Sequence, residues 1–278
     1  MIPPYFDGLI AAFHRQQTGR FVHLGHWDDP ADSRLMASSN PDEFAHAQAR
    51  LNAAMMDRAA LRAGLRVLDV GCGFGGTLAS INAGWEEMTL VGVNIDPRQL
   101  DICRQLVPVG GNVLRWELAN ACDLPFADRQ FDRVLCIEAM FHFSSRRRFY
   151  REAARVLKPG GVLVVSDMVI SPQLRNPELP GFAVEALIQD GFGPWPDFWG
   201  HDDDHESLAA AAGFDGIEIH DATRNTLPSH AHTLPQDLDD RRIGGNTALR
   251  SAAMLAWLHR RGYLRYLYLR AIKPEACL

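Results

Sequence analysis

Short apolar runs alternate with amphipathic segments along most of the chain. "RVLDV" (66–70), "MTLVGVNI" (88–95), "NVLRWEL" (112–118), "FDRVLCIEA" (131–139) and "VLVVSDMVI" (162–170) read as strands. Helical patterning separates them over 75–83, from Pro97 to about Val107, and from Ser145 to Leu157. A longer helix is expected over 41–63, with Asn40 as its N-cap, Pro41 in the first turn and Gly64 after its end. Strands that are apolar through most of their length, alternating with helices, predict a parallel sheet covered on both faces. Residues 171–202 break the alternation: the stretch is rich in Pro, Gly, Phe and Trp, with one helix expected over about 178–189. The pattern resumes with a helix at 203–213, the strand "FDGIEIHDA", a helix around 242–261 and a last strand, "YLRYLYLRAI". One α/β domain over 64–278 is therefore expected, with an N-terminal helical lid over 1–63 and a cap inserted at about 171–202.

Composition narrows the partners. The 278 residues are 47% hydrophobic and carry a formal net charge of −6, which argues against nucleic acid. No run approaches the roughly 18 apolar residues of a membrane span, and "MIPPYFDGLI" lacks the basic start of a signal peptide. The five cysteines form no Cys-x-x-Cys pair and fit reduced thiols in a cytoplasmic protein. A homo-oligomer is left open: the alternation in "RYLYLRAI" suits either an ordinary sheet strand or a face against a second copy.

The stretch "VLDVGCGFGG" (67–76) carries the candidate chemistry. Gly71, Gly73 and Gly76 satisfy G-x-G-x-x-G, a pattern that does not by itself specify a dinucleotide. A dinucleotide site usually places an acid about 20 positions on, to hold a ribose; that position here is Asn94. Asp69 also puts a negative charge where a pyrophosphate would approach. That charge suits a cation or an amine.

The stretch resembles the first motif of class I S-adenosylmethionine-dependent methyltransferases. The likeness continues through "GVNIDPRQL", "NACDLPF", "FDRVLCIEAMFHF" and "EAARVLKPGGVLVVSDM". Within that class it is similar to the branch of ubiquinone/menaquinone, sterol and natural-product sugar O-methyltransferases. The resemblance implies a Rossmann-like, mostly parallel seven-stranded sheet with helices on both faces, and S-adenosylmethionine as cofactor. It places Asp69 near the methionine amino group, with Gly71, Cys72 and Gly73 beside the methionine and ribose. It places Asn94 and Gln99 at the ribose, with Ile95 in the same set, and Asn120 and Ala121 at the adenine. His26, in "FVHLGHWDD", falls on a lid segment, where it contacts the methionine carboxylate, serves as a second base or is an ordinary lid residue. Glu138 takes either the methionine end, the acceptor or a structural place.

Methyl transfer from a sulfonium is mostly a matter of alignment. A hydroxyl acceptor must also lose a proton, which calls for a base. His142 follows the fourth strand, and Asp167 lies near the end of the fifth. The expectation is that His142 is the base, titrating near neutrality, and that Asp167 orients it, as sugar O-methyltransferases of this branch are thought to do; packing and loop-capping roles are the plain alternatives. Trp195, Phe198 and Trp199 fall where the branch places its substrate cap, and either pack that cap or hold an apolar or ring-shaped acceptor. "HDDDHESL" (201–208) can be read as a metal site near His201 and His205, but helix capping explains it more simply and no metal is expected. The expected partner is a small-molecule methyl acceptor, methylated at an oxygen of a natural product or glycoside. C-methylation of a quinone, sterol or isoprenoid-like acceptor, N-methylation, and a cofactor-binding module without catalysis are the rivals.

Overall fold

The computed structural model describes residues 2–31, 40–171, 181–196, 204–234 and 246–275. Seven strands form one sheet: β1 (Arg66–Val70), β2 (Thr89–Asn94), β3 (Val113–Leu118), β4 (Phe131–Ile137), β5 (Leu157–Ile170), β6 (Asp215–Asp221) and β7 (Leu264–Ile272). Their order is β3-β2-β1-β4-β5-β7-β6. The first five run parallel, whereas β7 is antiparallel to both β5 and β6. The chain thus fills one side of β1 and then crosses to β4 on the other. The crevice beyond the carboxyl ends of β1 and β4 is where such sheets bind ligands.

Side chains alternate across each strand, and the two faces support two separate cores. Val67, Leu135, Val164 and Tyr266 face helices α2 (Pro41–Ala59), α3 (Gly76–Gly84), α6 (Gly181–Phe192) and α8 (Thr247–Arg260). Leu68, Val134, Val165 and Leu269 face α5 (Arg146–Val156) and α7 (His205–Ala211). On the same face as α3, toward the β3 edge, α4 (Pro97–Cys103) sets Leu100 and Cys103 against Cys72 and Trp116. The helix expected to reach Val107 ends at Cys103 and tightens into i to i−3 turns, with the Gln105 amide donating to the Ile102 carbonyl at 3.2 Å and the Leu106 amide to the Cys103 carbonyl at 3.0 Å.

Local chemistry sets the helix starts. Asn40 accepts from the Asp42 amide at 3.1 Å ahead of Pro41, as expected. Asp96, Ser145, Asp204 and Asn246 cap α4, α5, α7 and α8 in the same manner. β3 and β6 depart from the apolar expectation. They are the sheet edges, and most of their side chains are exposed. "RYLYLRAI" is an interior strand, with Tyr266 and Tyr268 buried. The four described cysteines are free and buried; Cys277 lies outside the described residues.

The N-terminal segment lies against the switch point. Helix α1 (Tyr5–His14) precedes an extended strap over 20–27. Phe21 packs so close that a Cβ on Gly76 would stand 2.7 Å from it. Gln48 of α2 donates to the carbonyls of Phe21 and His23 and holds the strap down.

Candidate active site

A cleft opens at the tips of β1, β2 and β4 under α1 and the strap. Asp69, Gly71, Cys72, Gly73, Asn94, Ile95, Gln99, Asn120, Ala121, Glu138 and His142 all line it. His26, Asp167 and Trp195 do not line it, and Phe198, Trp199 and His201 lie outside the described residues.

The glycine turn is built for close approach. Gly71 and Gly73 have φ of +79° and +52°. A Cβ would meet Ala139 at 2.4 Å from Gly71 and Val22 at 2.7 Å from Gly73. Any side chain there is strained and displaces its neighbours. Asp69 is the next-to-last residue of β1, 2% exposed, and makes no side-chain hydrogen bond among the described residues. Burial pushes its carboxyl up to about 7. A buried carboxylate without a partner, opening on a cleft, fits a ligand ammonium.

The end of the cleft beyond β2, where the resemblance puts the ribose, is lined by two amides. The Asp96 amide donates to Asn94 Oδ1 at 3.1 Å, so Asn94 Nδ2 faces Gln99 and donates to its Oε1 at 2.9 Å. Gln99 Nε2 is thereby left as a donor toward the cleft. Asn94→Asp is expected to keep or tighten S-adenosylhomocysteine binding, by ~1 kcal/mol, once the Gln99 amide turns to donate to the new carboxylate. Calorimetric titration checks this; binding more than about tenfold weaker (~1.4 kcal/mol) places the side chain away from the ribose. Asn120 is exposed, and its Oδ1 accepts from the Cys122 amide at 2.9 Å, with a lone pair to spare for an adenine amino group. Ile95, 45% exposed, forms an apolar lip.

Glu138 follows β4 with φ +51°, a conformation that non-glycine residues seldom adopt. The Leu24 amide at 2.8 Å and the Tyr266 hydroxyl at 2.6 Å donate to its Oε2. Burial outweighs these bonds and holds its carboxyl up at about 7.

His142 ends a single 3-10 turn, Met140–His142, after β4. Its Nδ1 contacts the Phe192 carbonyl oxygen, which can only accept. Nδ1 therefore carries the proton, and Nε2 accepts from the Tyr5 hydroxyl at 2.8 Å. Burial, and secondarily Glu138, raises the Tyr5 pKa, so this hydroxyl keeps its proton at neutral pH. Burial drives the His142 imidazole down to about 4. The expected titration near neutrality is corrected accordingly.

The expected His142–Asp167 pair is not formed. Asp167 projects from the opposite face of β5, where Arg146 Nε lies 2.7 Å from its Oδ2. Arg146 is only 3% exposed and needs that charge; it also donates to the carbonyls of Met168 and Pro196. His205 Nε2 is 3.4 Å from the same oxygen, and its Nδ1 meets the Tyr150 hydroxyl. Burial opposes ionisation of Asp167, but Arg146 and His205 outweigh it and hold the carboxyl below the ordinary range. Asp167→Ala should therefore act on stability, costing about 3–5 kcal/mol by leaving the Arg146 charge buried and unpaired. Thermal denaturation measures this; a variant as stable as the parent but slow in turnover would restore Asp167 to the reaction.

Two more placements fall on the lid and packing alternatives rather than on a cofactor or substrate contact. His26 turns away from the cleft, Nδ1 to the Tyr268 hydroxyl at 3.0 Å. Trp195 is buried behind the wall, packed on Phe141 with ring centroids 4.8 Å apart, and so braces the cap. Tyr5, Phe6 and His23 line the cleft without having been singled out in the sequence. They come from the N-terminal segment, and only "FVHLGHW", which holds His23, carried any signal.

The comparisons speak to family and fold. The "Methyltransferase domain" family matches residues 68–165. Methyltransferase GfsG of Streptomyces halstedii is 34% identical over 77% of this chain and 73% of its own length. O-methyltransferase resE of Aspergillus sclerotiorum is 29% identical over 87% of each chain. Among solved structures, the [4+2]-cyclase SpnF superposes with a TM-score of 0.70 at 23% identity, covering 98% of this chain and 93% of that one; it shows the fold alone. With an Asp69 carboxylate that meets no donor among the described residues at the switch point, and a 34% identical relative covering 77% of this chain, the chain belongs to the class I S-adenosylmethionine-dependent methyltransferases that act on small molecules.

Proposed function

We propose that the chain methylates a hydroxyl of a small natural product or glycoside, with His142 as the base. The observation that carries this reading is the His142 tautomer: Nδ1–H is held by the Phe192 carbonyl, and the Nε2 lone pair is turned to the Tyr5 hydroxyl. An acceptor hydroxyl reaches that lone pair either by replacing the Tyr5 contact or by passing its proton through the Tyr5 oxygen. Tyr5, Phe6, Phe143 and Pro194 give this end of the cleft an aromatic and apolar lining, suited to a ring-shaped acceptor. The likeness to an O-methyltransferase over 87% of both chains supports oxygen as the site.

S-adenosylmethionine, held by Asp69, the glycine turn, Gln99 and Asn120, supplies a methyl group on a positively charged sulfur. The residues of the chain then align and exclude water. An acceptor oxygen that gains a third bond becomes a far stronger acid than an imidazolium held at about 4. His142 therefore takes the proton late, as the new bond forms, without needing a pKa near 7. The test is product analysis with a carbon-13-labelled methyl donor and pools of phenolic, glycosidic and quinol acceptors. A labelled methoxy carbon is expected; label bound to carbon or nitrogen overturns the reading.

A further inference from the structure

Arg146 makes three contacts at once, and one of them leaves the sheet. It opens α5, four residues after His142, and is buried. Its Nε donates to Asp167 Oδ2 at 2.7 Å and its Nη2 to the Met168 carbonyl at 3.1 Å, both on β5. Its Nη1 donates to the Pro196 carbonyl, beyond the end of α6. A guanidinium is a rigid planar fork, so two donors anchored on β5 fix the direction of the third. Stability alone does not call for this arrangement, because apolar side chains often replace a buried ion pair without loss. What the pair adds is a fixed place for the Pro196 carbonyl.

That place bears on the cleft, which Pro194 lines. Three bonds stitch the end of α6 and the stretch 193–196 to residues 141–146. His142 Nδ1 donates to the Phe192 carbonyl, the Trp195 amide donates to the Phe141 carbonyl at 3.0 Å, and Arg146 holds Pro196. Of these donors only Arg146 is charged, and charge-assisted bonds are the stronger ones. Trp195 has φ +40°, a conformation that persists only where the surroundings hold it. Its own amide and the carbonyl of the next residue are the two points held.

The Phe192 carbonyl ends α6, where no later helical amide reaches it. With that carbonyl seated, His142 keeps its proton on Nδ1 and its lone pair on Nε2. With the carbonyl displaced, the proton moves to Nε2, donates to the Tyr5 oxygen, and leaves no lone pair for an acceptor hydroxyl. We propose that Arg146 is a positioning residue for methyl transfer: by seating 193–196 through Pro196, it keeps the Phe192 carbonyl on His142 and so fixes the tautomer of the base. Asp167 anchors Arg146 and stays out of the chemistry. The inference rests on the reading of His142 as the base.

The test uses Arg146→Lys, and Arg146→Met combined with Asp167→Asn. Lysine keeps a charge opposite Asp167 but lacks the fork to meet Pro196 as well. The double variant removes both charges together, so neither is left buried alone, and it leaves an amide oxygen beside His205. Each protein is labelled with nitrogen-15 histidine, and the His142 signals are those missing from His142→Ala. In the parent, Nδ1 should carry the proton at neutral pH. In both variants the proton should shift to Nε2 in much of the population, with S-adenosylhomocysteine bound as tightly as in the parent. Turnover of the labelled methyl donor with the phenolic, glycosidic and quinol pools should fall about 10–100-fold, the scale of a small misplacement. Retention of the Nδ1–H form in the variants overturns the proposal and makes Arg146 a purely structural residue. A shifted tautomer with parental turnover keeps Arg146 as the residue that seats the cap and overturns His142 as the base. If the double variant melts below the parent, the lysine variant, whose ion pair is kept, decides.

Discussion

Replacing His142 by alanine is expected to lower turnover about 10²–10⁴-fold, the range for loss of a positioned base, while S-adenosylhomocysteine should bind nearly as in the parent. The expectation follows from the fixed tautomer: Nδ1–H is tied to Phe192, and the only acceptor the ring offers is Nε2. The pH dependence is the sharper reading. Burial holds His142 at about 4, so its neutral fraction is constant through neutrality. Its limb in kcat lies on the acid side and should vanish in the alanine variant. Tyr5→Phe separates the two proton routes. If the acceptor hydroxyl replaces Tyr5 at Nε2, the phenylalanine variant retains most of kcat. If the proton passes through the Tyr5 oxygen, it approaches the alanine variant. A His142→Ala loss below about tenfold would leave proximity alone as the source of catalysis.

Asp69→Asn trades cofactor binding for stability. We propose the carboxylate as the charged partner of the ligand ammonium, and on that reading its loss should weaken S-adenosylhomocysteine about 10–100-fold. The ligand-free protein should gain. The folded pKa of about 7 lies above the ordinary 3.8, so the fold prefers the protonated acid. That preference stabilises the protein below the unfolded pKa and is lost as pH rises through about 7. Above that point, ionised Asp69 costs the ligand-free fold at most about 4 kcal/mol, and asparagine removes the cost. The variant should therefore melt higher than the parent at pH 8 and differ little from it at pH 4. Binding carries the opposite sign. The ammonium favours the ionised carboxylate, so affinity in the parent falls as pH drops below about 7, and titrations near pH 6.5 should release protons to buffer. The asparagine variant should lose that proton release. A variant that binds as tightly as the parent and melts no higher would place Asp69 outside the site.

The stretch 67–76 determined the most by itself. A glycine turn after an apolar strand fixes where a ligand approaches the backbone, and a carboxylate just before it selects a cation over a phosphate. Both are local, and Asp69, Gly71 and Gly73 sit in the cleft as their spacing implied. Apolar strands alternating with capped helices likewise led to the layered sheet, because burial on both faces leaves its mark in every strand except the edges β3 and β6.

What only the tertiary structure decided are the pairings between distant segments. His142 follows β4 and Asp167 lies near the end of the neighbouring β5, which suggested that they meet. Strand parity instead turns Asp167 to the face of α5, where a buried arginine claims it. The partner of His142 is Tyr5, 137 positions away on the N-terminal helix, and no local pattern records such a contact. In the strap, His23 and His26 are three residues apart and chemically alike. Gly25, whose Cβ would stand 2.4 Å from the Ala47 Cβ, brings the chain against α2 between them. One ring then faces the cleft and the other faces Tyr268. Which imidazole lines the cleft is set by packing against α2 and β7, information held by the folded chain as a whole and by neither histidine alone.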